Sequence, residues 1–86
     1  MSVPSRHRAA LAFGAVLREV RRARGLSQEA VADLSGLDRT YPSLLERGLR
    51  TPTLVAILQI ADALRVPPET LIADTCDRLR NTAGPR

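Results

Sequence analysis

LSQEAVADLSGLDRTYPSLLERG, residues 26–48, reads as two short helices around a sharp turn. Ser27 has the short hydroxyl side chain that accepts from the unpaired N–H groups at a helix start, and Gln28 and Glu29 fall in the first turn. Val31 and Leu34 recur at the three-residue spacing of one buried helical face. Ala32 is small where a second helix crosses closely. Gly36 follows where a chain leaving a helix turns left-handed, which costs glycine no steric strain. Leu37 then returns to the core, Asp38 caps a second helix, and Leu45 with Leu44 or Tyr41 gives that helix its inner face. Together they occupy about residues 27–47. Pro42 disturbs the second helix: with Asp38 as cap it falls at the fourth position, where its missing N–H removes the first helical bond. It also restrains Tyr41 from helical angles. The expectation is a late or irregular start; if capping passes to Thr40, Pro42 falls at the second position and no bond is lost.

Before this pair, Phe13, Val16, Leu17 and Val20 recur at helical spacing, with Arg18, Glu19, Arg22 and Arg24 on the other faces. They predict a helix over residues 9–24, ended by Gly25. Residues 1–8, with Pro4, Ser5, Arg6 and Arg8, read as a flexible basic arm. After Gly48, the stretch Leu49, Arg50, Thr51, Pro52 is a loop, and Thr53 caps a fourth helix over residues 54–65. Its core stripe is Leu54, Ile57, Leu58, Ala61 and Leu64, widened by Val55 and Ile60. Pro67 and Pro68 punctuate again, with Pro68 in the first turn of a fifth helix that returns Leu71 and Ile72 to the core and runs to about Arg80. Residues 81–86, NTAGPR, carry no apolar anchor and read as a frayed tail.

A chain of 86 residues makes one domain, and its core must be economical. No run shows the period-two alternation of a half-buried strand, so the class is all-α, a five-helix bundle over residues 9–80. The net charge is +4, and all 13 basic residues are Arg, the side chain suited to bidentate contact with phosphate and guanine. Residues 1–50 hold nine Arg against five acids, whereas residues 51–86 hold four of each. The basic half contains the helix pair, and a polyanionic partner follows. Cys76 is the only cysteine, which leaves no internal disulfide or cysteine-based zinc site and fits a reducing cytoplasm. No apolar run approaches the roughly 20 residues needed to span a bilayer. The apolar stretch near the N-terminus runs into Arg18, Glu19 and further Arg without a cleavage site, unlike a signal peptide. His7 is the only histidine, and no Gly-rich phosphate loop is present. Asp74 and Asp77 with Arg78 and Arg80 read as an ion-paired surface. Neither an enzyme nor a metal, cofactor or small-molecule site is expected.

GLSQEAVA, SGLDRTY, LLERG and TPTLVAILQIADALRV resemble the helix-turn-helix of the phage-repressor family, also called the XRE or Cro-repressor family, over about residues 13–72. LDRTY is similar in particular to restriction-modification controller proteins. Ser35 stands where the family often has Ala, and Pro42 where it usually has a buried Ile or Val. The resemblance implies binding to double-stranded DNA, with the second helix of the pair in the major groove. Arg39 and Thr40, in its first turn, are then the leading base contacts, Arg39 able to give two parallel hydrogen bonds to guanine. Ser43 and Leu44 follow, Leu44 either against a thymine methyl or in the core beside Leu45. Ser27, Gln28, Arg47 and Arg50 suit backbone phosphates. Arg18, Arg22 and Arg24 read as a solvated face. The resemblance also implies a structural ion pair between Arg21 and Glu46. The expected function is a cytoplasmic, homodimeric transcriptional repressor on a two-fold operator. Its dimer contact is expected around Val66, Pro67, Leu71, Ile72 and Leu79, in the half of zero net charge. The rival reading is an antitoxin-like or adaptor module that binds a protein through helices 4 and 5.

Overall fold

The structure, a computed structural model, describes residues 3–83, the side chains of 82 and 83 excepted. Five helices follow one another: α1 (Arg6–Ala23), α2 (Gln28–Ser35), α3 (Tyr41–Glu46), α4 (Leu54–Leu64) and α5 (Pro68–Ala83). No strand occurs among the described residues, and no helix is long and apolar enough to cross a membrane. The all-α bundle read from the sequence is the fold observed.

The starts of three helices are set by hydroxyl caps. Ser5, Ser27 and Thr53 accept from the backbone N–H three residues on, at 3.1, 3.0 and 3.0 Å. The Ser5 cap corrects the expected arm over residues 1–8: Arg6, His7 and Arg8 are the first turn of α1. At the other end α5 continues past Arg80 to Ala83, so Asn81 is helical and not tail. The rest of both expectations, residues 1–2 and 84–86, lies outside the described residues. Gly36 closes α2 at φ 70°, and the Leu37 N–H, at 3.0 Å, then returns to the Ala32 carbonyl.

α3 starts late, at Tyr41, and is six residues long. Pro42 occupies its second position, where an N–H has no partner to lose, and is fully buried. Thr40 precedes the helix without a side-chain cap bond. Its hydroxyl donates instead to Asp38 Oδ2 at 2.6 Å, and its N–H to the same oxygen at 3.1 Å. Asp38 thus braces the turn before α3 and does not cap the helix itself.

The core joins Phe13, Val16 and Leu17 of α1, Val31 of α2, Leu45 of α3, Ile60, Ala61 and Leu64 of α4, and Leu71 of α5. α1 packs against α3 and α5, and α2 against α3 and α4. At the crossing of α1 and α3, a Cβ on Gly14 would stand 2.2 Å from the Leu45 carbonyl oxygen. Only glycine lets these two backbones approach so closely.

Two faces differ from the sequence reading. In α2 the inward side is Val31, Ala32 and Ser35, and Leu34 is 60% exposed. The Ser35 hydroxyl donates back to the Val31 carbonyl, which satisfies it in its buried place. In α4 the buried residues are Ala56, Ile60, Ala61 and Leu64, while Leu54, Val55 and Leu58 are 71%, 61% and 47% exposed. The apolar stripe of α4 is wider than its neighbours cover, and the small Ala56 and Ala61, which allow close packing, decide the side that turns inward.

Candidate nucleic-acid interface

α2 and α3 present their N-terminal ends on one side of the bundle. A network behind them fixes their relation. Arg21, in the last turn of α1, donates from Nε to Glu46 Oε2 at 2.5 Å and from Nη2 to Glu46 Oε1 at 3.0 Å. Its Nη1 donates to the Leu26 carbonyl at 2.9 Å. Gln28 Nε2 donates to Glu46 Oε1 at 3.0 Å. One carboxylate at the end of α3 therefore ties the end of α1 to the start of α2. The hydrogen bond to Glu46 raises the pKa of Arg21 above its ordinary value, against the opposing effect of burial, with the charge of Glu46 adding to it. The ion pair implied by the family resemblance is present. The Gln28 amide, expected on phosphate, is engaged here with Glu46.

Arg39 and Thr40 stand exposed in the turn that opens α3. Arg39 is not free: its Nε donates to Glu29 Oε2 at 3.1 Å, and its Nη2 bonds the same oxygen. That hydrogen bonding, then the charges of Glu29 and Asp33, raises its pKa. Ser43 and Leu44 are half-buried. Leu44 lies outside the core cluster and the residues packed against it. Arg47 and Arg50 are exposed on either side of Gly48. The Arg50 guanidinium lies over the Tyr41 ring, 5.8 Å from its centroid, a cation–π contact.

A groove of about 510 Å³ runs along this side, and Arg18 and Arg22 line it together with Ser27, Gln28, Ser43 and Arg47. Arg18 and Arg22, read from the sequence as a solvated face, are exposed and line this groove beside residues expected on phosphate. Sequence reasoning also missed Glu29 as the partner of Arg39. Its place in the first turn of α2 carries no signal of a contact ten residues on.

The expected dimer contact is corrected in two residues. Leu71 is fully buried at the centre of the core, and Leu79, 6% exposed, sits beside Leu11, Ala12 and Ala15 of α1. Both serve the monomer, because the inner face of α5 is needed to close the core against α1 and α4. Val66 is half-buried against the core, Pro67 is exposed, and Ile72 is 44% exposed.

The family model described as "Helix-turn-helix domain" matches residues 12–73. The chain belongs to the helix-turn-helix domain family. It is similar to the uncharacterized HTH-type transcriptional regulator y4dJ of Sinorhizobium fredii, at 40% identity over 62 residues, 72% of this chain and 80% of the relative. Some other HTH-type regulators it matches are longer, and the chain spans 41% to 45% of their length. Among solved structures it is similar to the restriction-modification controller protein C.AhdI from Aeromonas hydrophila. The identity is 53% and the TM-score 0.70, over 72% of this chain and 94% of that one. It is also similar to the controller protein C.Esp1396I, whose structure is a tetramer in complex with its natural 35 base-pair operator. The identity there is 28% and the TM-score 0.75, over 83% of this chain and 93% of that one. The likeness to controllers read from LDRTY holds. In this helix-turn-helix, α2 and α3 are the two helices of the motif and Gly36 lies in its turn.

Proposed function

We propose that the chain is a sequence-specific DNA-binding transcription regulator that acts as a homodimer, with α3 as the helix that reads bases. The observation that carries this is the exposure of Arg39 and Thr40 at the start of α3, beside the Ser27 and Gln28 end of α2, on a frame tied by Arg21 and Glu46. A helix about 10–12 Å across fits the major groove, so Arg39, Thr40, Ser43 and Leu44 meet base edges. Ser27, Gln28, Arg47 and Arg50, joined by Arg18 and Arg22, meet phosphates. No catalytic step is part of this reading. Repression follows from occupancy of a promoter, and the cytoplasm is where a lone thiol such as Cys76 stays reduced.

One such helix reads only a few base pairs, and two held about 34 Å apart read a two-fold site. The surface for that pairing is the α4 face of Leu54, Val55 and Leu58, with Ile72 of α5. It lies in the half of zero net charge, where two copies meet without repulsion, and a two-fold contact there is self-complementary. The operator complex of C.Esp1396I supports the DNA reading.

The test is an anisotropy titration against the DNA upstream of the chain's own gene, across a range of chloride concentrations, with a random duplex as control. Preferred binding of the upstream duplex is expected. Arg39→Ala should weaken it by about 1–3 kcal/mol and relax the preference at one base pair per half-site. A wild type that binds both duplexes weakly and alike would instead favour the rival reading, in which the exposed α4 face engages another protein.

A further inference from the structure

Beyond the helix-turn-helix, the first turn of α1 and the loop after α3 enclose a groove of about 450 Å³ lined by Arg6, His7, Ala10, Gly48, Leu49, Arg50 and Thr51. Its polar side chains are two guanidinium groups, an imidazole and a hydroxyl, and no acidic residue lines it. Arg6, His7 and Arg50, like several other arginines among the described residues, pair with no carboxylate, whereas Arg21, Arg39, Arg78 and Arg80 do. These groups can all donate hydrogen bonds, and the groove offers them no anion.

The groove is also held in register with α3. His7, Gly14 and Arg21 are spaced at seven residues, two turns of helix, so they share one face of α1. Gly14 meets the end of α3, Arg21 bonds Glu46, and Leu11 packs against Gly48. On the opposite wall Arg50 lies over Tyr41, the first residue of α3. Packed contacts therefore tie α3 to the helix that carries Arg6 and His7.

We propose that Arg6 and His7, facing Arg50 and Thr51, form a second grip on the DNA backbone, taking phosphates on the flank of each half-site. This rests on the DNA-binding reading. It assigns a contact to α1 that extends the footprint past the bases read by α3 and adds affinity without sequence preference.

The test is the double variant Arg6→Gln, His7→Gln, which keeps the Ser5 cap and good helix formers, with folding checked by circular dichroism. Binding is measured over a series of chloride concentrations on the upstream duplex and on a random duplex of equal length. Ethylation interference on the upstream duplex maps the phosphates. Affinity should fall by the same factor on both duplexes, and the salt slope should flatten by about 0.9 for each phosphate that the variant no longer neutralises. Interference at the flanking phosphates should vanish, and Arg50→Gln should weaken interference at the same phosphates from the other wall. An unchanged slope with unchanged interference overturns the proposal, as does a loss confined to phosphates inside the half-site. A wild type that binds neither duplex overturns the functional reading itself, and this grip with it.

Discussion

Glu29, in the first turn of α2, holds Arg39 by one edge of its guanidinium, with Oε2 accepting from both Nε and Nη2. In the proposed reading, the end of the fork, Nη1 and the second hydrogen of Nη2, is left to meet a guanine. Both side chains are largely exposed, so the pair adds little to stability. If α3 reads bases as proposed, the pair restricts the orientations that Arg39 brings to the groove, which lowers the ordering cost of binding. Glu29→Ala should therefore weaken binding to the cognate site and strengthen binding to random DNA, since a carboxylate near the backbone is gone. Anisotropy on the two duplexes measures the ratio, and an unchanged ratio would remove Glu29 from recognition. Urea melts should move by no more than about 0.5 kcal/mol.

The Arg21–Glu46 pair is different in kind, being 11% and 3% exposed. Glu46→Ala leaves the Arg21 guanidinium without its carboxylate and releases Gln28 as well. Breaking a buried pair from one side costs about 3–5 kcal/mol, and the remaining exposure of Arg21 sets the expectation near the lower figure. Chemical denaturation checks it. A loss below about 1 kcal/mol would show that solvent takes over the role of Glu46, as it does at surface pairs.

Asp38 offers a test by pH. Its carboxyl is lowered from the ordinary value first by the Thr40 hydroxyl and then by the Thr40 N–H. A depressed folded value means that its contribution is complete above the unfolded value of about 3.9 and is lost as the pH falls through the lower folded one. Thr40→Val removes the hydroxyl and keeps the N–H. An NMR titration should find the Asp38 midpoint below the ordinary value in the wild type and moved upward in the variant.

For the pairing surface, Leu54→Glu with Leu58→Glu is a clean probe because both side chains already face outward. The variant should keep its helical circular dichroism and sediment as a monomer at concentrations where the wild type, on the proposed reading, sediments as a dimer. Binding to a two-fold site should drop more steeply than binding to a single half-site. A variant that still sediments as a dimer would move the contact elsewhere.

What was legible in the sequence was local. Ser27, Gly36 and Thr53 act within a few residues of themselves, and the late start of α3 followed from the missing N–H of Pro42. The facing of Leu34, Leu54, Leu58, Ile72 and Leu79 was less legible. Each lies in an apolar stripe wider than one contact, and the angle between helices decides which edge turns in. The expected base-contact positions came from the motif, and the structure sets Arg39 and Thr40 together in the turn before α3. The hold of Glu29 on Arg39 depends on how the turn folds α3 back on α2, and no pattern in either helix encodes it.

The crossing at Gly14 fixes α3 at its far end, against the Leu45 and Glu46 carbonyls. Arg39, Thr40 and Ser43 take no part in that seat. In the proposed reading, the fastening of the helix and the choice of what it reads thus fall to different residues of one short segment. A lineage could exchange the side chains at positions 39, 40 and 43, and so address a different operator, while Gly14, Arg21 and Glu46 hold the new reader at the same height above the groove.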